Sequence, residues 1–230
     1  MKKIKVLYED SNILAVDKPS GILTCPDQRT DDPSTSLRIK ENVFDIFKKK
    51  YPKLELVHRL DKETSGVLLF AKNKKAHEFL KGQFQSREIK KTYLTIVNGS
   101  VKNDHGIINK PIGRSPADFR RRLAGRGARG EMREAITEYK VLGRYKDYTF
   151  LEVEMKTGRR HQIRCHFSYL KHPIAGDKLY AFKNSKIPDG LTRQFLHAQK
   201  LKIQLPNGSA EEFISELPEE LKKILNALEK

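Results

Sequence analysis

Val57-His58-Arg59-Leu60-Asp61-Lys62-Glu63-Thr64-Ser65-Gly66-Val67-Leu68-Leu69-Phe70 holds an alternating segment, a dense polar cluster and an apolar run. The alternation from Leu54 to Leu60 predicts a strand, and Val67 to Phe70 predicts a second, buried one. Thr64, Ser65 and Gly66 predict the turn between them. Asp61 is therefore expected at a strand end on the rim of a sheet, held by rigid elements on both sides. A second polar cluster, Thr157-Gly158-Arg159-Arg160-His161-Gln162-Ile163-Arg164-Cys165-His166, falls where a strand gives way to a helix. Connections over an apolar scaffold are where sites usually sit. Either cluster alone reads as an exposed turn with an ion pair; two of them in a strongly basic chain read as a site.

Outward from these clusters the chain alternates without a regular order. Ile4 to Val16 predicts two short strands around Glu9-Asp10-Ser11-Asn12, and Asp17-Lys18-Pro19-Ser20-Gly21 predicts a turn. Gln28 to Ser36 is expected as a loop. Leu37, Val43, Phe44 and Phe47 follow at helical spacing, with Ser34 or Ser36 as the cap. Asn73 is expected to cap a helix with Ala76, Phe79, Leu80 and Phe84 on its apolar face. Tyr93 to Val97 predicts a strand closed by Asn98-Gly99, and Glu134 to Leu142 with Tyr148 to Met155 predicts a hairpin. His161 to Leu170 predicts a helix burying Ile163 and Phe167. Phe195 to Leu205 predicts a strand, and Pro218 to Leu228 a last helix with Leu221, Ile224, Leu225 and Leu228 inward. Strands and helices mixed in this way predict an α+β fold around a largely antiparallel sheet. No repeat and no Pro/Ser-rich linker divides residues 1–230, so one domain is expected.

Composition narrows the function. Lys and Arg number 46 against 29 Asp and Glu, a net charge of +17 in 230 residues. Residues 205–230 carry −3, which leaves +20 on residues 1–204. Residues 110–133 alone hold a net +6. Such a balance points to a polyanion, and nucleic acid is the commonest, because Lys and Arg displace counterions from phosphates. No apolar run approaches a membrane-spanning length. Met1-Lys2-Lys3-Ile4-Lys5-Val6 has no leader-like core, so a cytoplasmic location is expected. Cys25 and Cys165 stand alone, which excludes a disulfide scaffold or a cysteine zinc site.

Several motif matches fail on context. Gly125-Arg126-Gly127-Ala128-Arg129-Gly130 spells a dinucleotide fingerprint, but Phe119-Arg120-Arg121-Arg122-Leu123-Ala124 before it is not a buried strand. A flexible basic loop at about 114–133 is expected instead, with Arg120, Arg121, Arg122, Arg126 and Arg129 offered to RNA phosphates. His58-Arg59-Leu60-Asp61 has one residue too many for a kinase loop. His161 and His166 are not on one helical face, so no metal site is expected.

The chain resembles the RluA-type RNA pseudouridine synthases. The matching motifs are Lys18-Pro19-x-Gly21, His58-Arg59-Leu60-Asp61-x-x-Thr64-Ser65-Gly66, Lys91-Thr92-Tyr93, Thr157-Gly158-Arg159-x-His161-Gln162-Ile163-Arg164-x-His166, Pro173-Ile174-x-Gly176-Asp177 and Leu196-His197-Ala198. They occur in the family's order and span nearly the whole chain. The resemblance implies isomerisation of uridine in ribosomal or transfer RNA to pseudouridine, without cofactor or metal, by a single catalytic domain. That domain would have a twisted, mainly antiparallel mixed sheet, flanking helices and a central RNA cleft. It makes Asp61 the nucleophile, Arg164 the arginine that pairs with it, Tyr93 the residue stacking on the target base and Leu196 a wall of the base pocket. Arg59 is implied to help flip the nucleotide, since a base must leave its stack to be modified. Many relatives carry an N-terminal S4-type domain; here the catalytic motifs begin so early that none is expected. A monomer is the default expectation. The competing readings are a catalytically silent RNA-binding or ribosome-assembly factor of the same fold and a general nucleic-acid chaperone. A carboxylate facing a phosphate-rich ligand repels it unless it does chemistry, which favours the enzyme.

Overall fold

The computed structural model describes residues 4–26, 41–125 and 127–229. In chain order its elements begin with β1 (Lys5–Glu9), β2 (Ile13–Lys18), α1 (Val43–Lys50), β3 (Glu55–Leu56), β4 (Ser65–Ala71) and α2 (Lys74–Ser86). There follow β5 (Lys90–Asn98), β6 (His105–Asn109), β7 (Ile112–Arg114), β8 (Arg122–Ala124), β9 (Arg129–Arg133), β10 (Ile136–Arg144) and β11 (Tyr148–Met155). The last are α3 (Gln162–Tyr169), β12 (Leu196–Gln204), β13 (Ala210–Ile214) and α4 (Glu219–Leu228). The fold is α+β, and its named strand pairs with a defined register are antiparallel. The chain divides into two compact units, Met1–Ile89 with Leu201–Ser215, and Lys90–Lys200 with Glu216–Lys230.

In the first unit β1, β2 and β4 run side by side, with Leu14 opposite Phe70 and Lys18 opposite Gly66. Asp10 makes the β1–β2 turn: its Oδ1 accepts the backbone N–H groups of Asn12 and Ile13 at 2.7 and 2.6 Å. Ile13, Ala15, Val67 and Leu69 share one sheet face and pack with Leu80 of α2, Leu201, Ile203 and Phe213. Each fully buried Val, Leu or Ile side chain here contributes about 1.5–3 kcal/mol of transfer free energy. Asn73 caps α2 as expected, accepting the N–H of Ala76. The helix's inward face differs: Ala76, Leu80 and Gln83 are buried, and Phe79 is exposed. Gln83 takes the inward place because its amide pairs with both backbone groups of Gln204, which satisfies a polar side chain in the core. α1 starts at Asn42, whose side chain caps Asp45 N–H; Ser34, Ser36 and Leu37 lie outside the described residues.

The second unit is built on β5, β11, β10 and β6, in that order. β5 and β11 pair with Tyr93 opposite Val153, and β10 and β11 with Thr137 opposite Met155. Ile96, Tyr148, Ala175, Leu191 and Phe195 form a core with Leu221 and Ile224 of α4. The expected flexible loop at about 114–133 instead holds, among its described residues, two short strands, β8 and β9. β7 lies between β8 and β9 in a separate small antiparallel sheet. Gly125, Gly127 and Gly130 adopt positive φ angles of 77°, 87° and 76°, so the glycines of the false fingerprint serve the tight return between β8 and β9.

Candidate active site

Asp61 opens a tight turn closed by Thr64 N–H donating to Asp61 C=O at 3.1 Å. The expected strand before it is only Glu55–Leu56. Beyond Leu56 a side chain replaces the strand: His58 Nε2 accepts the N–H of Leu69 in β4 at 3.0 Å, and its ring stacks on Phe84. Leu60 is held by reciprocal bonds with Thr24 Oγ1, at 2.8 and 3.1 Å.

The turn itself is clamped by the segment Lys18–Gly21. Lys18 is fully buried. Its ammonium donates to the carbonyls of Pro19 and Lys62, both at 3.0 Å. Gly21 N–H donates to the same Lys62 carbonyl at 2.9 Å, with φ of 89° at the glycine. Ser20 Oγ donates to Glu63 C=O at 2.9 Å. A buried ammonium is costly unless carbonyl dipoles surround it. Its presence here means that Lys18 fixes the turn carrying Asp61. Arg59 is solvent-exposed two residues ahead of Asp61.

In the second unit, the motif Thr157 to His166 forms a closed hydrogen-bond chain. Gln162 Oε1 accepts from Thr157 Oγ1 and from Arg159 N–H. Gln162 Nε2 donates to Ile136 C=O and Thr137 Oγ1, both at 3.0 Å. Thr137 Oγ1 lies 2.8 Å from His166 Nδ1, and His166 Nε2–H donates to Lys110 C=O at 2.9 Å. A neutral ring accepts from Thr137 at Nδ1 while its Nε2–H meets the carbonyl. Burial pushes its pKa below the ordinary 6.5. The sign follows from linkage: the unfolded chain takes up a proton near pH 6.5 and the folded chain resists it. Stability is therefore full above pH 6.5 and falls as the pH drops below it. Urea midpoints measured from pH 8 to pH 5 should decline in that window, with a weaker decline in His166→Gln.

Arg164, on α3, forms a two-toothed ion pair with Asp177: Nε to Oδ2 at 2.6 Å and Nη2 to Oδ1 at 2.9 Å. Asp177 Oδ1 also accepts the N–H groups of Leu179 and Tyr180. The guanidinium lies 5.0 Å from the Tyr180 ring, and that of Arg121 lies 5.3 Å from it. Tyr180 Oη accepts Arg122 N–H at 2.7 Å and sits 3.1 Å from His161 Nδ1. Burial pushes the Tyr180 phenol upward and the Cys165 thiol to about 12, so both stay protonated. Asp177 owes its place to Gly176, whose backbone passes so near residue 193 that a Cβ would lie 2.2 Å from the Arg193 carbonyl oxygen. Asp177 ends the motif Pro173-Ile174-x-Gly176-Asp177. That motif marks the residue, but spacing alone does not reveal its partner thirteen residues away in sequence.

Tyr93 and Leu196 are buried, at the pairing position opposite Val153 and at the start of β12. The five candidate RNA-binding arginines separate. Arg120 is exposed and pairs with Asp118 at 2.8 Å, holding that carboxyl down at about 2. Arg121 stacks on Tyr180, and Arg129 is exposed on β9. Arg122 is only 9% exposed, and its guanidinium donates to the carbonyls of Phe119 and Arg121. Arg126 lies outside the described residues. Among the described residues, no helix is long and apolar enough to cross a membrane.

The clamped Asp61 turn of the first unit and the buried Thr157–His166 network of the second each carry a motif of one RNA-modifying isomerase family. Residues 12–169 match the RNA pseudouridylate synthase family, and the chain belongs to it, within its RluA-type branch. The chain is 42% identical over 191 residues to an uncharacterized RNA pseudouridine synthase of Aquifex aeolicus, covering 82% of this chain and 59% of that protein. It is 38% identical over 202 residues to the dual-specificity RNA pseudouridine synthase RluA of Yersinia pestis, covering 87% of this chain and 92% of that one. The structure of human RNA pseudouridylate synthase domain containing 1 superposes with a TM-score of 0.77 at 24% identity, over 99% of this chain and 95% of that chain, a likeness of fold.

Proposed function

We propose that this chain isomerises uridines in structured ribosomal or transfer RNA to pseudouridine, with Asp61 as nucleophile, and that residues 1–230 act as one catalytic domain in the cytoplasm. The observation that carries this reading is the clamp on the Asp61 turn: a fully buried lysine, a glycine with positive φ and two hydroxyls converge to fix one carboxylate-bearing turn. A nucleophile needs that fixity, because reacting groups must be held near attack geometry. An ionised carboxylate forms the covalent adduct while the N1–C1′ bond breaks. The base turns, C5 bonds to C1′ as the bond to Asp61 breaks and frees the carboxylate, the C5 hydrogen leaves as a proton and N1 takes one up, so the product is an isomer. Tyr93 stacks on the base, Leu196 lines its pocket, Arg59 helps turn the nucleotide out and Arg164 holds the cationic role its motif position carries. The Asp177 pair supports that role by fixing the plane of the guanidinium.

Phosphate contacts from the small basic sheet supply affinity, through Arg120, Arg121 and Arg129, with Arg122 holding the hairpin together. Arg129→Ala should weaken RNA binding about equally across sequences and flatten the salt slope by roughly one, while Arg122→Ala should lower the thermal midpoint. Measured slopes that are the same for Arg129→Ala and wild type would place that arginine off the phosphates.

Tritium release from RNA labelled at uracil C5 tests the function, since the new carbon–carbon bond must expel that hydrogen. Release with ribosomal or transfer RNA is the expected result. Tight RNA binding without release from any pool would overturn the enzyme in favour of a binding factor of the same fold.

A further inference from the structure

Phe119 is 82% exposed, the most exposed large apolar side chain among the described residues. It does not sit on a loose tip. The β7–β8 connection is tied across its neck by Ser115 N–H to Arg121 C=O and closed by Arg121 N–H to Asp118 C=O. Ser115 Oγ accepts Asp118 N–H, and Asp118 Oδ1 accepts Arg120 N–H. Buried Arg122 reaches back to the Phe119 carbonyl at 3.5 Å. A bare ring is thus displayed on an ordered turn, with Arg120 beside it and exposed Arg114 and Arg129 on the strands of the same small sheet.

An apolar π face surrounded by cations suits one chemistry: an unpaired nucleobase whose flanking phosphates meet the arginines. A paired base offers no free face to such a ring. We infer that Phe119 stacks on an unpaired base of the RNA outside the reacting uridine, so that the small sheet selects looped over fully paired RNA. The inference rests on the proposed RNA substrate and names a second contact with it.

The test is equilibrium binding of the full chain, by fluorescence anisotropy, to a labelled RNA stem-loop and to a fully paired duplex of the same composition, at several salt concentrations. Wild type is expected to prefer the stem-loop. Phe119→Ala should weaken stem-loop binding by about five- to 150-fold, the range of one lost base–aromatic stack. It should leave duplex binding and the salt slope nearly unchanged, because no phosphate contact is removed. Phe119→Tyr should retain the stem-loop preference, and Phe119→Leu should behave like Ala. Wild-type affinity in Phe119→Ala, an equal loss on both RNAs, or full rescue by Leu would overturn the stacking role while leaving the enzyme reading intact. A wild-type chain that binds neither RNA would overturn both. The side chain is exposed, so the variants are expected to fold, and their far-UV circular dichroism should match wild type.

Discussion

Asp61→Asn should reduce tritium release by roughly four to six orders of magnitude, the scale on which enzymes lose rate when a covalent nucleophile is removed. The turn is closed through the Asp61 backbone carbonyl, and the clamp reaches Lys62 and Glu63, so Asn preserves the geometry. RNA affinity should hold or tighten, because one negative charge facing a polyanion is lost. A variant that releases tritium at the wild-type rate would place the nucleophile elsewhere. Loss of binding together with rate would instead mean that Asp61 is structural.

Asp177→Ala is expected to cost about 3–5 kcal/mol, the range for breaking one side of a buried pair. Its carboxylate is fully buried, and Arg164's side chain is 10% exposed. The alanine strips Arg164 of a two-toothed partner and leaves the Leu179 and Tyr180 N–H groups without their acceptor oxygen. At about 2–4 °C per kcal/mol for a chain of this size, the thermal midpoint should fall by roughly 6–20 °C. Asp177→Asn keeps one oxygen but turns an NH₂ toward donors, so it should fall between. A midpoint loss under about 2 °C in the alanine variant would show that the pair is dispensable.

What the sequence made legible follows from range. The β1–β2 and β10–β11 hairpins, the Asn73 cap and the α4 face are local patterns, and all stand where periodicity and turn chemistry put them. Leu54–Leu60 reads as a strand because it alternates, yet His58 answers the Leu69 N–H with a ring nitrogen, and no propensity encodes that. The small sheet was invisible because Arg and Gly have no strand preference, and pairing with β7 overrides it. Lys18 was legible as a motif residue but not as a buried one, since its acceptor Lys62 lies 44 residues away. Asp177 was hidden in the same way.

That separation has a consequence for motion. The Asp61 turn is latched to a segment at the far end of β2, and β2 is laid along β4 through six consecutive register positions. Prying the turn open would sever the Gly21, Ser20 and Lys18 bonds together and loosen the strand pair beneath them. Local opening of this turn is expected to cost more free energy than that of a loop tied by fewer bonds. The backbone N–H groups of Gly21 and Thr64 should therefore exchange slowly with solvent, and accommodation of a bulky RNA is expected to fall to other parts of the protein or to the RNA.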